Sequence, residues 1–257
     1  MDSSPSSGSS RFAVLELGRD ERDPMALARA LAAARGTPVQ DQVITARRAW
    51  GIVEEDLTEA EATALAKTLT ASGVECIARP ASSLARLPDA ESVTALEALP
   101  ADRPALVAVA GLTIMSTRTT TEKKGPTAAQ KVASTAIMLG TGLPIKVGGR
   151  KRTVEKTERR EALAFYSDLH YEASSRRLRI DAARFDFSCL GERMLYQGQG
   201  NLKLLIGDIV QGTPDAWRNH GARVLLEGRP IRTMGYGSLA DLEREARWLL
   251  TLRALGL

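Results

Sequence analysis

Cysteine and histidine are scarce, at two each in 257 residues, which leaves little material for metal or redox chemistry. Cys76 and Cys189 stand in different segments with no paired spacing, so neither a disulfide framework nor a zinc knuckle is expected. No His-Glu-x-x-His motif occurs either, and the expectation is that the chain holds no metal and no cofactor. Aromatic residues make up only 4% of the chain, and none interleaves its basic run from Lys146 to Arg160, so stacking on single-stranded bases is not indicated. Long apolar runs are missing too. The longest, Val132 to Ile145, is broken by Ser134, Thr135, Gly140, Thr141, Gly142 and Pro144, and falls short of the ~20 residues that cross a bilayer. The opening MDSSPSSGSSR lacks the basic and apolar regions of a leader and reads as a disordered tail, residues 1–11. The simplest location is the cytoplasm. Heavy use of Ala, Arg and Leu with few Lys suits a GC-rich bacterial genome.

Charge is abundant but uneven. The formal net charge is +4, yet residues 1–115 carry 11 Lys+Arg against 16 Asp+Glu, a net of −5. Residues 116–160 carry 11 against 3, a net of +8, and residues 161–257 carry 13 against 12, a net of +1. The basicity is therefore local.

Residues 12–80 carry dense boundary signals. Phe12 to Leu17 alternates as a strand and ends at Gly18. Asp23-Pro24 is an N-cap followed by proline at the first helical position, where a missing N–H costs nothing. Thr37-Pro38-Val39-Gln40 and Thr58-Glu59-Ala60-Glu61 both have capping-box spacing. Gly36 and Gly73 sit where a left-handed helix stop is wanted. Trp50 to Val53 and Val74 to Arg79 read as strands, giving the order β-α-α-β-α-β. Trp50, Ile52, Leu65, Leu69 and Ile77 are the expected core.

The run GIVEEDLTEAEATALAKTLTASGVECIARP resembles the closing half of the C-terminal domain of the bacterial ribosomal stalk protein, a compact ClpS-like fold. The matching positions are Ile52-Val53, Thr58-Glu59-Ala60-Glu61, Leu69 and Gly73-Val74-Glu75, and the resemblance covers residues 12–80. The stalk domain's lysine-rich face is not reproduced. The paired helices here offer only Arg29, Arg35, Arg47 and Arg48, balanced by Asp41. The resemblance thus implies a protein-interaction module of ClpS-like shape rather than a ribosomal protein.

Pro88, Pro100 and Pro104 mark residues 81–104 as a linker. Residues 105–257 read as a second α+β domain, a mixed antiparallel sheet with a packed C-terminal helix, carrying a basic, flexible insertion at 116–160. Ala105 to Met115 is a strand, and residues 163–171 and 178–182 alternate as a hairpin that Phe185 and Phe187 extend. Asn201 is placed as the cap of a helix, Thr213-Pro214-Asp215 as the start of a short helical turn, and Ala222 to Leu226 as a strand. Ser238 and Asp241 form a capping box for the last helix. The fold class expected is α+β in two small domains.

No constellation of nucleophile, base and orienter is visible, and catalytic residues are not expected. Asp168 and His170 share one strand face, most simply a solvated one, and no G-x-S-x-G elbow supplies a serine. His220 reads as a residue at a helix C-terminus, and both cysteines as small buried hydrophobes. Gly198-Gln-Gly200 lacks the third glycine and the basic residue of a phosphate loop. The strongest chemical signal is Arg150, Lys151, Arg152, Lys156, Arg159 and Arg160, which suit phosphates of nucleic acid or anionic lipid. Glu155 and Glu158 dilute that patch, and a solvated loop explains it equally well. The expectation is a non-enzymatic interaction, adaptor or regulatory protein with a protein partner. The alternative is association with nucleic acid or an anionic membrane through 146–160.

Overall fold

The computed structural model describes residues 11–18, 23–95, 102–124 and 152–257, and the side chains over 116–124 and 152–160 lie outside that description. The chain divides into two units, Met1–Leu112 with Ala164–Leu257, and Thr113–Leu163. Helices and mixed sheets together make the fold α+β.

The first unit opens with β1 (Phe12–Glu16), α1 (Pro24–Arg35), α2 (Val39–Ala49), β2 (Ile52–Leu57), α3 (Glu59–Ala71) and β3 (Cys76–Pro80). The local signals explain most of these boundaries. The Asp23 carboxylate accepts from the Met25 and Ala26 N–H groups, and Gly36 closes α1 at φ 62°. Thr58 and Glu61 form the capping box of α3. The box at Thr37 does not form: Pro38 is the N-cap of α2 with no side-chain cap, and Thr37 Oγ1 accepts from Gln42 Nε2 instead.

β1 lies between β2 and β3 and is antiparallel to both. Alternate residues of β1 enter different cores. Val14 joins Leu27, Leu31, Ala46, Val53, Leu69 and Cys76 beneath α1–α3. Ala13 and Leu15 join Trp50, Ile52, Leu106, Trp248 and Leu249. This small sheet is therefore buried on both faces, and one face belongs to the core built from residues after 105. Leu65 and Ile77, expected inside, are only partly buried.

That shared core corrects the expected separation of 12–80 from 105–257. The C-terminal helix, α6 (Leu239–Ala254), is stapled to the first sheet. Trp248 Nε1 donates to Glu16 O at 2.8 Å, and Arg244 donates to Ala49 O at 2.8 Å and to Ile52 O at 2.6 Å. Arg244 and Arg247 both reach the Glu55 carboxylate. The expected linker 81–104 is also more than a linker, because it supplies β4 (Ala90–Val93), which pairs parallel to β7 (Arg176–Asp181).

The larger sheet runs β4-β7-β6-β5-β8, with β5 at Leu106–Lys124, β6 at Arg152–Tyr171 and β8 at Trp217–Arg218. β6 and β7 form the expected hairpin, in the register Asp168↔Arg179 and His170↔Arg177. The strand ends at Asp181, so Phe185 and Phe187 do not extend it, although both are buried. The helix α4 (Gly198–Gly212) starts three residues before its expected cap, Asn201. Thr213 to Asp215 forms no helix, and Trp217 lies in β8. Residues 222–226 are helical rather than extended, within α5 (His220–Glu227).

Asn219 makes the transition from β8 to α5. Its amide bonds both Val109 N and Val109 O, at 2.9 and 3.1 Å, continuing the ladder that β8 leaves after two residues. The same Oδ1 caps α5 through the Ala222 N–H at 2.8 Å. Gly221 is forced here, because a Cβ would stand 1.9 Å from Val109 O.

In the second unit, every described residue belongs to β5 or β6. The expected insertion 116–160 thus begins and ends within strands rather than loops. Residues 125–151, which include the Val132–Ile145 run, lie outside the described residues.

Candidate functional site

Two places in the first unit carry side chains whose arrangement the packing alone does not require. The first is the buried polar face of the β6–β7 hairpin. Period two puts Asp168 and His170 on one face of β6, and the register sets Arg179 and Arg177 opposite them on β7. Asp168 is fully buried, and its two oxygens accept four hydrogen bonds of 2.6–2.9 Å from the two guanidinium groups. Glu243 of α6 accepts from both arginines, at 2.7 and 3.0 Å. Two carboxylates and two guanidinium groups balance one another.

Burial pushes the Asp168 carboxyl up, but hydrogen bonds from Arg179 and Arg177 and their charges outweigh it, leaving the group below the usual carboxylate range. Glu243 is lowered in the same way. His170 behaves differently: burial pushes its imidazole down to about 4, only partly offset by Asp168. It is therefore neutral at pH 7, and neither ring nitrogen has a hydrogen-bond partner. The expectation that Asp168 and His170 face solvent is corrected. Asp168 is spent on two arginines, so it does not orient His170 as a base, and no triad geometry results.

The second place is the corner Met194-Leu195-Tyr196, which precedes α4. All three apolar side chains are exposed, Tyr196 completely. The backbone beneath them is clamped. Buried Asn201 accepts from Leu195 N at 2.6 Å and donates to Leu195 O at 2.8 Å, and Met194 N donates to Gly191 O at 3.1 Å. Gly191 turns the chain at φ 55°, and the Arg193 fork grips Asp208 at 3.0 and 2.7 Å. Asn201, expected as a helix cap, is the clamp of this corner.

The remaining sequence-predicted positions fall elsewhere. Arg150 and Lys151 lie outside the described residues. Arg152, Lys156, Arg159 and Arg160 fall within β6, where the side chains are likewise outside them. His220 is the first residue of α5 rather than at a helix C-terminus, and its Nε2 lies 2.8 Å from Thr233 O. Cys76 is buried, and burial pushes its thiol up to about 12, but Cys189 is exposed, contrary to expectation. Among the described residues no group of His, Cys, Asp and Glu is placed to hold a metal ion, and no helix is long and apolar enough to cross a membrane.

No family model matches the chain, and no curated protein or solved structure matches it.

Proposed function

We infer that this chain is a non-enzymatic interaction protein, an adaptor or regulatory module of the bacterial cytoplasm that acts by binding a protein partner. The observation that carries this reading is the clamped apolar corner. Exposing Met194, Leu195 and Tyr196 together forfeits the transfer free energy of three large side chains, roughly 1.5–3 kcal/mol each when fully buried. A loop with no partner could fold those groups inward. Here Asn201 and Gly191 instead hold the backbone that presents them, so the ordering cost of docking is already met within the fold. An aromatic flanked by aliphatic side chains, with an arginine next in sequence, is the composition of an interface centre. Residues 12–80 enter the reading as a ClpS-like module, supported by their β-α-α-β-α-β order, with Ile44 exposed on α2.

A photo-crosslinking residue tests this in cells. Placed at 196, it should give a discrete protein adduct, and the control at exposed Arg184 should give none. Tyr196→Ser should abolish recovery of the same partner and leave the thermal midpoint unchanged. The reading fails if positions 196 and 44 yield no adduct above that control.

The net charge of +8 over 116–160 supports a second reading, polyanion binding. It makes a distinct prediction about salt, argued below.

A further inference from the structure

The unpartnered imidazole of His170 lines a cavity that neither reading above uses. The cavity has a volume of about 310 Å³ and lies between residues 85–88, the turn joining β6 to β7, and the last turns of α6. Ala85, Pro88, Leu250 and Ala254 supply apolar wall, and Tyr171 supplies an aromatic one. Its polar groups differ sharply in how far they are already spent. Arg176 holds the Glu91 carboxylate through two hydrogen bonds at 3.0 and 2.6 Å, and Glu172 holds Arg253 at 3.0 Å. Arg86, exposed at the rim, makes no ion pair among the described residues. His170 is 3% exposed and has two unpaired ring nitrogens. The lining therefore keeps one cation at its mouth and one buried neutral imidazole, which is both a donor and an acceptor.

An unpaired buried polar group costs about 1–3 kcal/mol, and here it faces a space large enough to admit the group that would satisfy it. We propose that this cavity binds a small hydroxylated aromatic carboxylate. The carboxylate meets Arg86 at the mouth, where solvent still reaches the charge. The ring packs between Leu250, Ala254 and Pro88. The hydroxyl enters last and pairs with His170, because a hydroxyl donates and accepts, as a neutral imidazole does. A second anionic group at the inner end would be left without a counter-charge, which selects against dicarboxylates.

The test is titration of the ¹⁵N-labelled full chain with 4-hydroxybenzoate, followed by amide shifts. Saturable shifts are expected at Leu169–Arg176 and at residues 250–254. Benzoate, which lacks the hydroxyl, and 4-hydroxybenzamide, which lacks the charge, should each bind about tenfold more weakly, the worth of one good hydrogen bond. Arg86→Gln should weaken 4-hydroxybenzoate about tenfold and leave 4-hydroxybenzamide unchanged, as expected when only the charge-assisted contact is lost. His170→Leu should erase the preference of the wild type for 4-hydroxybenzoate over benzoate. Because Arg86 is exposed, its variant folds whatever the fate of the His170 one. Absence of saturable shifts at millimolar probe, equal binding of all three probes, or no effect of Arg86→Gln overturns the proposal.

Discussion

The indole of Trp248 lies directly over Gly51, so closely that a Cβ at position 51 would stand 1.9 Å from the ring. Gly51 also holds φ 83°, a conformation that L side chains rarely adopt. The contact joins the turn between α2 and β2 to the middle of α6, nearly 200 residues later in the chain. Trp50, stacked on Tyr236 at a centroid distance of 4.3 Å, reinforces the same junction.

Two substitutions probe that junction. Trp248→Ala should cost about 3–5 kcal/mol, the usual range for losing a buried aromatic. Gly51→Ala should cost a comparable amount for the opposite reason, through collision and backbone strain. Urea unfolding followed by far-UV circular dichroism reads both. A single transition at a lower midpoint is expected for each, because the small sheet shares its core with α6. Separate transitions, with 12–80 persisting after the rest unfolds, would restore the two-domain organisation.

Asp168 is the keystone of the buried charge cluster, and its removal is predicted to be severe. Asp168→Ala leaves Arg177 and Arg179 with only half-exposed Glu243 to answer two charges. Breaking a buried pair in this way costs about 3–5 kcal/mol. Replacing Glu243 by Gln should cost less, since water already reaches that carboxylate. Unfolding midpoints decide it. Equal losses from the two variants would show that the cluster does not pivot on Asp168.

What the sequence disclosed follows from how local each signal is. The boundaries of α1, α3 and α6 rest on caps within a single turn, at Asp23, Thr58 and Ser238, and all three formed. Residues 222–226 were misread because a short apolar run suits a strand and a buried helix alike. Asn219 before the run and Gly228 after it, at φ 72°, were the signals that could have settled it. The parallel strand β4 had no local mark, since parallel pairing joins segments far apart in sequence. The charge cluster was half legible. Arg177 and Arg179 alternate across the turn from Asp168 and His170, so the hairpin register alone sets them face to face. That this face is covered rather than wet depends on α6, which sequence periodicity could not position.

His170 makes stability depend on pH over a defined window. Its folded value of about 4 lies below the ordinary 6.5. Between those values the unfolded chain takes up a proton that the folded chain refuses, so stability falls as pH falls and levels off below about 4. Its contribution is fully present above pH 6.5 and is on the order of 3 kcal/mol. Asp168, also depressed, acts only lower, as pH drops through the usual carboxylate range and below. Urea midpoints measured at intervals from pH 7.5 to 4 should therefore fall less steeply for His170→Leu than for the wild type. Parallel slopes would mean that the imidazole is protonated in the folded protein.

Salt separates the two binding readings. A contact built on Met194, Leu195 and Tyr196 is apolar, and screening leaves it intact. Polyanion binding through 116–160 would release about 0.9 counterion per phosphate neutralised on duplex DNA, so its affinity must fall steeply with ionic strength. Replacing Arg150, Lys151 and Arg152 by Glu should then weaken binding to duplex DNA or anionic vesicles and flatten the salt slope. Vesicle binding should depend in addition on Ile137, Met138 and Leu139, whose apolar area salt does not screen. Fluorescence anisotropy with labelled duplex and vesicle co-sedimentation, each at 50 and 200 mM salt, measure these effects. If the wild type binds neither polyanion at low salt, the net charge of +8 serves solubility alone. If the charge reversal also abolishes the crosslink at position 196, the partner is held by charge, and the clamped corner is not its anchor.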